Sequence, residues 1–199
     1  MGSSVEDLQS HNKTIYQKEQ YRELKKIGER LVLHALEHQR MVPCEIGGEK
    51  EPELVFHANQ VYANLGIGCE LILKSAFLKQ GLSINPPKRG PARPQPLAGT
   101  PEGSLREDRT MPIRVFMDQI GMIISDEESV TKVSHAYEIL ATYRNHSVHT
   151  GNLRLWIDPR LWQVILYGVE LLYEKEFGEV DSAFLRTLSR AKGMLFGPF

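Results

Sequence analysis

Residues 58–76 read ANQVYANLGIGCELILKSA, and this stretch decides the fold. Its apolar side chains recur at alternating intervals of four and three residues, at Ala58, Tyr62, Leu65, Cys69, Ile72 and Ala76. That spacing places them on one face of an α-helix. A helix with one apolar face buries it against other elements, so we expect this helix to be central.

Stripes of the same period lie on both sides of this stretch. One falls within residues 13–40, and the others comprise Val130, Val133, Tyr137 and Leu140; Leu161, Ile165, Val169 and Leu172; and Phe184, Leu188 and Ala191. Residues 113–124 predict a short helix or helical turn, and no segment alternates as a strand would. The sequence therefore predicts an all-α bundle of five or six helices, forming a single domain over residues 1–199.

Capping residues mark where several of these helices should begin. Ser125 with Glu128 fits a capping box, in which the two side chains satisfy exposed amide donors. Asp158 can cap a helix that has Pro159 in its first turn. Asp181 can cap the last helix.

Composition limits the classes of function. The chain has 199 residues and a formal net charge of -1, so no overall basic field favours a passive RNA-coating protein. Cys44 and Cys69 form neither a disulfide framework nor a zinc-binding spacing. No uninterrupted apolar run approaches the ~20 residues that cross a bilayer, and the N-terminus lacks an apolar signal region. We expect a cytoplasmic protein without a membrane partner.

Residues 144–149 read RNHSVH and carry the most informative chemistry. The stripe continued from Leu140 reaches Arg144, and a guanidinium facing the interior needs an anionic partner. A nucleic-acid phosphate is one such anion, and a histidine could then transfer protons. On an ideal helix Asn145 and His149 lie about 40° apart, whereas Arg144 lies about 140° from His149. Either the helix distorts near Ser147, or two protomers converge across a two-fold axis.

This motif resembles that of the HEPN family of all-helical nucleases, an arginine followed by four to six residues and a histidine. A polar residue such as Asn145 often follows the arginine there. Residues 68–74, GCELILK, are similar to the Glu-Leu-x-Leu-Lys segment of an early HEPN helix. The resemblance spans residues 50–180. It implies metal-independent RNA cleavage at a homodimer interface, without a cofactor, by the motif's Arg144 and His149.

The roles that follow are those that RNA cleavage requires. His149 would act as general base or acid, and Arg144 would stabilise the phosphate charge of the transition state. Asn145 would orient the phosphate or His149, and His146 is a second candidate for substrate contact or proton transfer. Family members often serve as toxins or antiviral-defence effectors, which implies an antitoxin or regulatory protein as partner. Toxins silenced by nucleotidyl transfer carry a tyrosine two positions after the histidine, where this chain has Gly151.

Residues 81–112 interrupt the helical pattern with seven prolines and several glycines. Proline removes backbone donors, so the segment predicts a long, mobile loop inserted in the domain. It is either a solvated insertion or a flap that lays cations along RNA. The segment carries five cations, Lys88, Arg89, Arg93, Arg106 and Arg109, and in the second case Lys88, Arg89 and Arg93 would bind substrate.

Two other functions fit parts of the sequence. His34, Glu37 and His38 match an inverted zinc-protease pattern, although no downstream ligand or cleft is identifiable. The whole chain could also be a non-catalytic helical module that binds a protein partner or a nucleotide.

Overall fold

The computed structural model describes residues 15–39, 52–150, 159–179 and 182–194, with backbone alone at 52–56, 146–150, 159 and 194. These residues form six α-helices: α1 (Tyr21–Gln39), α2 (Pro52–Lys79), α3 (Ile113–Met117), α4 (Glu127–Thr150), α5 (Pro159–Phe177) and α6 (Ala183–Met194). Two 3-10 turns, Lys18–Gln20 and Ile120–Met122, accompany them. The described residues include isolated β-bridges but no strand. The prediction of an all-α protein is confirmed.

Helix α2 lies at the centre, packed against α1, α4 and α5. Its predicted stripe is buried throughout, and Leu65, Cys69 and Ile72 have no exposed surface. Helices α1 and α2 approach closely where Gly28 faces Gly68: a Cβ on Gly28 would come within 2.7 Å of the Gly68 carbonyl oxygen. The close packing of these two helices therefore depends on glycine.

Helix α4 packs across α2 through the stripe predicted for it. Val133, Tyr137 and Leu140 are buried, and the Tyr137 hydroxyl donates to the Cys69 carbonyl oxygen at 3.1 Å. Burial raises the pKa of the Tyr137 phenol and of the Cys69 thiol, so both stay neutral. Because α4 continues the same stripe to residue 144, Arg144 reaches the α2 surface.

The predicted start of α4 is wrong by one residue. Asp126, rather than Ser125, caps the helix: its Oδ1 accepts the Ser129 N–H at 2.8 Å. Lys175 of α5 lies 2.9 Å from Asp126 Oδ2, so the carboxylate also forms an ion pair that a serine hydroxyl could not. The other predicted caps, Asp158 and Asp181, lie outside the described residues.

Residues 82–112 connect α2 to α3 without helix, in agreement with their prolines. The Ser83 N–H donates to the Gln95 carbonyl at 2.7 Å, and the Met111 N–H donates to the Ile84 carbonyl at 2.8 Å. Leu82, Ile84, Leu105 and Met111 are buried. The segment is therefore joined by internal hydrogen bonds and buries several of its side chains in the fold. Its mobility stays a prediction.

One helical stretch in the described residues, His57–Lys79, is long and apolar enough to cross a membrane by length and composition. The most apolar part of that stretch is 72% buried inside the fold, and the core helix of a soluble protein meets the same criterion. Charged residues such as Glu70 interrupt the stretch, so it contains no continuous apolar run of the length that the sequence criterion required.

Candidate functional site

A charged network joins α2, α4 and the end of the 81–112 segment. Arg144 Nη1 donates to Glu70 Oε2, and Lys74 Nζ donates to Glu70 Oε1 at 2.6 Å. Lys74 Nζ also donates to Thr110 Oγ1 at 2.7 Å. The side chains of Glu70 and Lys74 are only 12% and 7% exposed. Ion pairs strengthen where water is excluded, so this network holds its members in place.

The local sequence explains how these groups meet. Glu70 and Lys74 are four residues apart on α2, which places them on the same helical face. A Cβ on Gly66, one turn earlier, would lie 2.9 Å from the Cβ, Cγ and Cδ of Arg144. The absence of a side chain at Gly66 therefore lets the arginine stem lie against α2. Tyr62 of α2 and Tyr143 of α4, the residue before Arg144, stack on each other with ring centroids 6.0 Å apart.

The network lies on the wall of a cleft of about 860 Å³ between α2, α3 and α4. Four cations line it, Lys74, Arg109, Arg114 and Arg144, together with three carboxylates, Glu70, Asp118 and Glu138. The cleft therefore has one more cation than carboxylates, whereas the whole chain has a net charge of -1. This local excess of positive charge suits an anionic ligand.

The structure places two of the three predicted catalytic residues at the cleft. Arg144 and Asn145 line the cleft, and Arg144 is 31% exposed, so a ligand in the cleft can reach it. The backbones of His146 and His149 belong to α4, and their side chains lie outside the described residues. Helix α4 runs without interruption past Ser147 to Thr150. On such a helix, Arg144 and His149 diverge by about 140°.

The predicted substrate-binding cations of the loop lie elsewhere. Lys88, Arg89 and Arg93 are exposed and do not line the cleft. The cation that the segment contributes to the cleft is Arg109. A role for the first three in binding substrate stays a prediction.

Sequence reasoning predicted that Arg144 needs an anion but did not identify Glu70. The available indications were the spacing of Glu70 and Lys74 and the place of Glu70 directly after Cys69 on the buried stripe. Thr110 carried no comparable indication. Its contact with Lys74 depends on how residues 81–112 fold back onto α2.

The histidines of the inverted zinc-protease pattern form a separate cluster between α1 and α2. His38 Nδ1 lies 2.9 Å from His57 Nδ1, and His34 Nδ1 lies 3.0 Å from Asn64 Nδ2. Burial, and then the nearby His34 and His57, lower the pKa of His38. Among the described residues, no three His, Cys, Asp or Glu side chains are arranged to hold a metal ion. The cluster therefore adds no support for metalloprotease chemistry.

Comparisons with protein-family models, curated proteins and solved structures find no match for this chain.

Proposed function

We propose that this chain is an HEPN-like, metal-independent endoribonuclease. One observation carries the proposal: the two segments on which the resemblance rests meet at the cleft through the Arg144–Glu70 ion pair. They are far apart in sequence, and nothing in the helical periodicity requires them to touch. A shared cleft with an excess of cations supports a joint role in binding a phosphate.

The proposed chemistry begins with attack of the ribose 2′-oxygen on the adjacent phosphorus. His149 carries one of the two proton transfers, from the 2′-hydroxyl or to the departing 5′-oxygen, and His146 or water carries the other. Arg144, held by Glu70, donates to the non-bridging oxygens as negative charge builds up on them. Asn145 orients the phosphate or His149. The P–O5′ bond breaks, and the products are a 2′,3′-cyclic phosphate and a 5′-hydroxyl.

A homodimer can bring Arg144 and His149 together at one phosphate, which a single α4 helix does not favour. Because the helix is unbroken through Thr150, positions 144 and 149 of one copy lie about 140° apart around the helix axis. In a two-fold dimer with both α4 helices near the axis, Arg144 of one protomer can face His149 of the other. We therefore propose composite sites, each built from two chains.

The biological setting is proposed from the resemblance alone: a cytoplasmic toxin or antiviral-defence effector with an antitoxin or other regulatory partner. Gly151 stands where nucleotidyl-transfer targets have tyrosine. The proposed partner would therefore silence the enzyme by a mechanism other than nucleotidyl transfer to that position.

The alternative is a non-catalytic helical module that binds a nucleotide or a protein. One observation favours it: Glu70 already supplies the anion that Arg144 needs, as it would in a purely structural ion pair. Binding without cleavage would identify this module.

The deciding experiment compares cleavage of labelled, mixed-sequence RNA by wild type and His149→Ala, with EDTA present. His135→Ala is the matched control, since His135 is an exposed histidine of α4 that does not line the cleft. Cleavage by wild type and the control, but not by His149→Ala, is the expected result. Equal cleavage by all three would reject His149 as the catalyst.

A further inference from the structure

The cleft lining includes two arginines that the proposed chemistry does not use. Arg109 ends the 81–112 segment's charged stretch, and Arg114 belongs to α3. Both are exposed, and both line the cleft. None of the ion pairs within 4 Å among the described residues includes either arginine. Asp108, the neighbour of Arg109, is engaged by Arg106 at 3.2 Å.

The chain around Arg109 makes contacts at three consecutive residues, through the backbone of Arg109 and Met111 and the side chain of Thr110. The buried Asn85 donates through Nδ2 to the Arg109 carbonyl at 3.2 Å. Thr110 accepts from Lys74, and the Met111 N–H donates to the Ile84 carbonyl. Arg109 therefore projects from a fixed part of the segment, unlike a side chain at a free loop tip.

The same contacts connect this part of the segment to Arg144. Lys74 Nζ bridges Thr110 Oγ1 and Glu70 Oε1, and Glu70 binds Arg144. One nearly buried ammonium thus connects the chain next to Arg109 with the proposed catalytic arginine. Several cations distributed along one cleft suit a ligand that carries several negative charges.

The remaining carboxylates narrow the class of ligand. Lys74 and Arg144 pair with Glu70, which leaves Asp118 and Glu138 lining the cleft beside Arg109 and Arg114. An RNA strand satisfies both kinds of group, because its phosphates bind arginine and its exocyclic amines donate to carboxylates. A polyglutamate-like peptide offers its carboxylates to the arginines and meets the two carboxylates only with backbone N–H groups.

We infer that Arg109 and Arg114 bind backbone phosphates of single-stranded RNA next to the phosphate held by Arg144. The inference rests on the proposed function. It places substrate contacts of the 81–112 segment at its C-terminal end, whereas a role for Lys88, Arg89 and Arg93 rests on the sequence alone. Arg109 and Arg114 are binding residues, and they take no part in proton transfer.

The test measures binding of a labelled, mixed-sequence, fully 2′-O-methylated RNA, which has no 2′-hydroxyl to attack phosphorus. Arg109→Ala and Arg114→Ala should each raise Kd about tenfold, since each removes a charge-assisted contact. Each should also lower the slope of log Kd against log salt by about 0.7, the contribution of one single-strand phosphate. Arg22→Ala and Arg190→Ala remove the same charge from exposed arginines that do not line the cleft, and they should change neither quantity.

Three outcomes would overturn the inference: equal losses in all four variants, no loss at Arg109 and Arg114, or no RNA binding by wild type. Binding of polyglutamate that depends on Arg109 and Arg114, without RNA binding, would instead assign the cleft to an acidic protein. Cleavage of unmodified RNA is scored separately. His149-dependent cleavage with unchanged Kd in the arginine variants would reject this subsite and leave the proposed function standing.

Discussion

Arg144 on α4 binds the carboxylate of Glu70 on α2, 74 residues earlier in the chain. The pair lies where the central helix meets the helix that carries the nuclease-like motif. Glu70 also accepts from Lys74, so one nearly buried carboxylate balances two cations. This ion pair holds Arg144 at the cleft, and its contribution to the stability of the fold can be measured.

Replacing Glu70 with Gln should destabilise the protein by roughly 1–3 kcal/mol, because Lys74 and Arg144 would lose their charged acceptor in a poorly hydrated place. Urea unfolding measures this change in the free energy of unfolding. Glu128→Gln is the control, because its i,i+4 pair with Lys132 is exposed and should contribute nothing measurable. Equal stability of the two variants would show that the Glu70 network does not stabilise the fold.

Gly66→Ala should impair cleavage while the protein still folds. The added methyl group would lie 2.9 Å from the Arg144 stem and displace the guanidinium. A displacement near 1 Å can lower the rate on the order of a hundredfold. Gly121→Ala is the control, because a Cβ there meets nothing within 4 Å. Comparison of kcat and Tm for both variants decides the point: full activity in Gly66→Ala would contradict the assigned position of Arg144.

Composite sites predict complementation between two inactive variants. Arg144→Ala and His149→Ala proteins, unfolded together and refolded as a mixture, should recover about a quarter of wild-type activity, since half the dimers would hold one intact site of two. Each variant refolded alone should stay inactive. No recovery in a mixture shown by mass spectrometry to contain mixed dimers would place both residues in one chain.

Asp126 should make stability depend on pH. Its hydrogen bonds with Ser129 and then Lys175 hold its pKa well below the ordinary value of 3.8. Folding therefore gains stability from the ionised carboxylate above about pH 4, and this gain is lost as pH falls toward the lower folded-state pKa. Asp126→Ala should lower Tm by about 4 °C at pH 7, and the difference from wild type should narrow below pH 4.

Ser125→Ala is a second test of the assignment of Asp126, and not Ser125, as the N-cap of α4. Because Asp126 caps α4, removing the Ser125 hydroxyl should leave Tm unchanged at every pH. Thermal unfolding followed by circular dichroism measures both variants. A larger loss from Ser125→Ala than from Asp126→Ala would restore Ser125 as the cap.

The helices were predictable because their apolar side chains repeat with the period of an α-helix. The stripe through Leu65, Cys69 and Ile72 is buried as expected, and Arg144, which continues the α4 stripe, pairs with the anion Glu70. Periodicity describes one helix at a time. It cannot reveal that Glu70 supplies the anion, because that contact depends on how α2 and α4 pack.

Local sequence was also insufficient to predict which of several similar residues fills a given role. Ser125 and Asp126 are both good N-caps, and Asp126, which caps the helix, also pairs with Lys175 on another helix. In the same way, Lys88, Arg89 and Arg93 stood out as a dense group of cations. Which cation faces the cleft is set by the contacts of Asn85 and Lys74 with Arg109 and Thr110, far from them in sequence.

The central claim is tested most directly by analysing the ends that the purified protein produces on mixed-sequence RNA in the presence of EDTA. Mass spectrometry of the fragments should find 2′,3′-cyclic phosphates and 5′-hydroxyls, with the same-sequence DNA left intact. Fragments ending in 3′-hydroxyls, cleavage of the DNA, or intact RNA after prolonged incubation would contradict it.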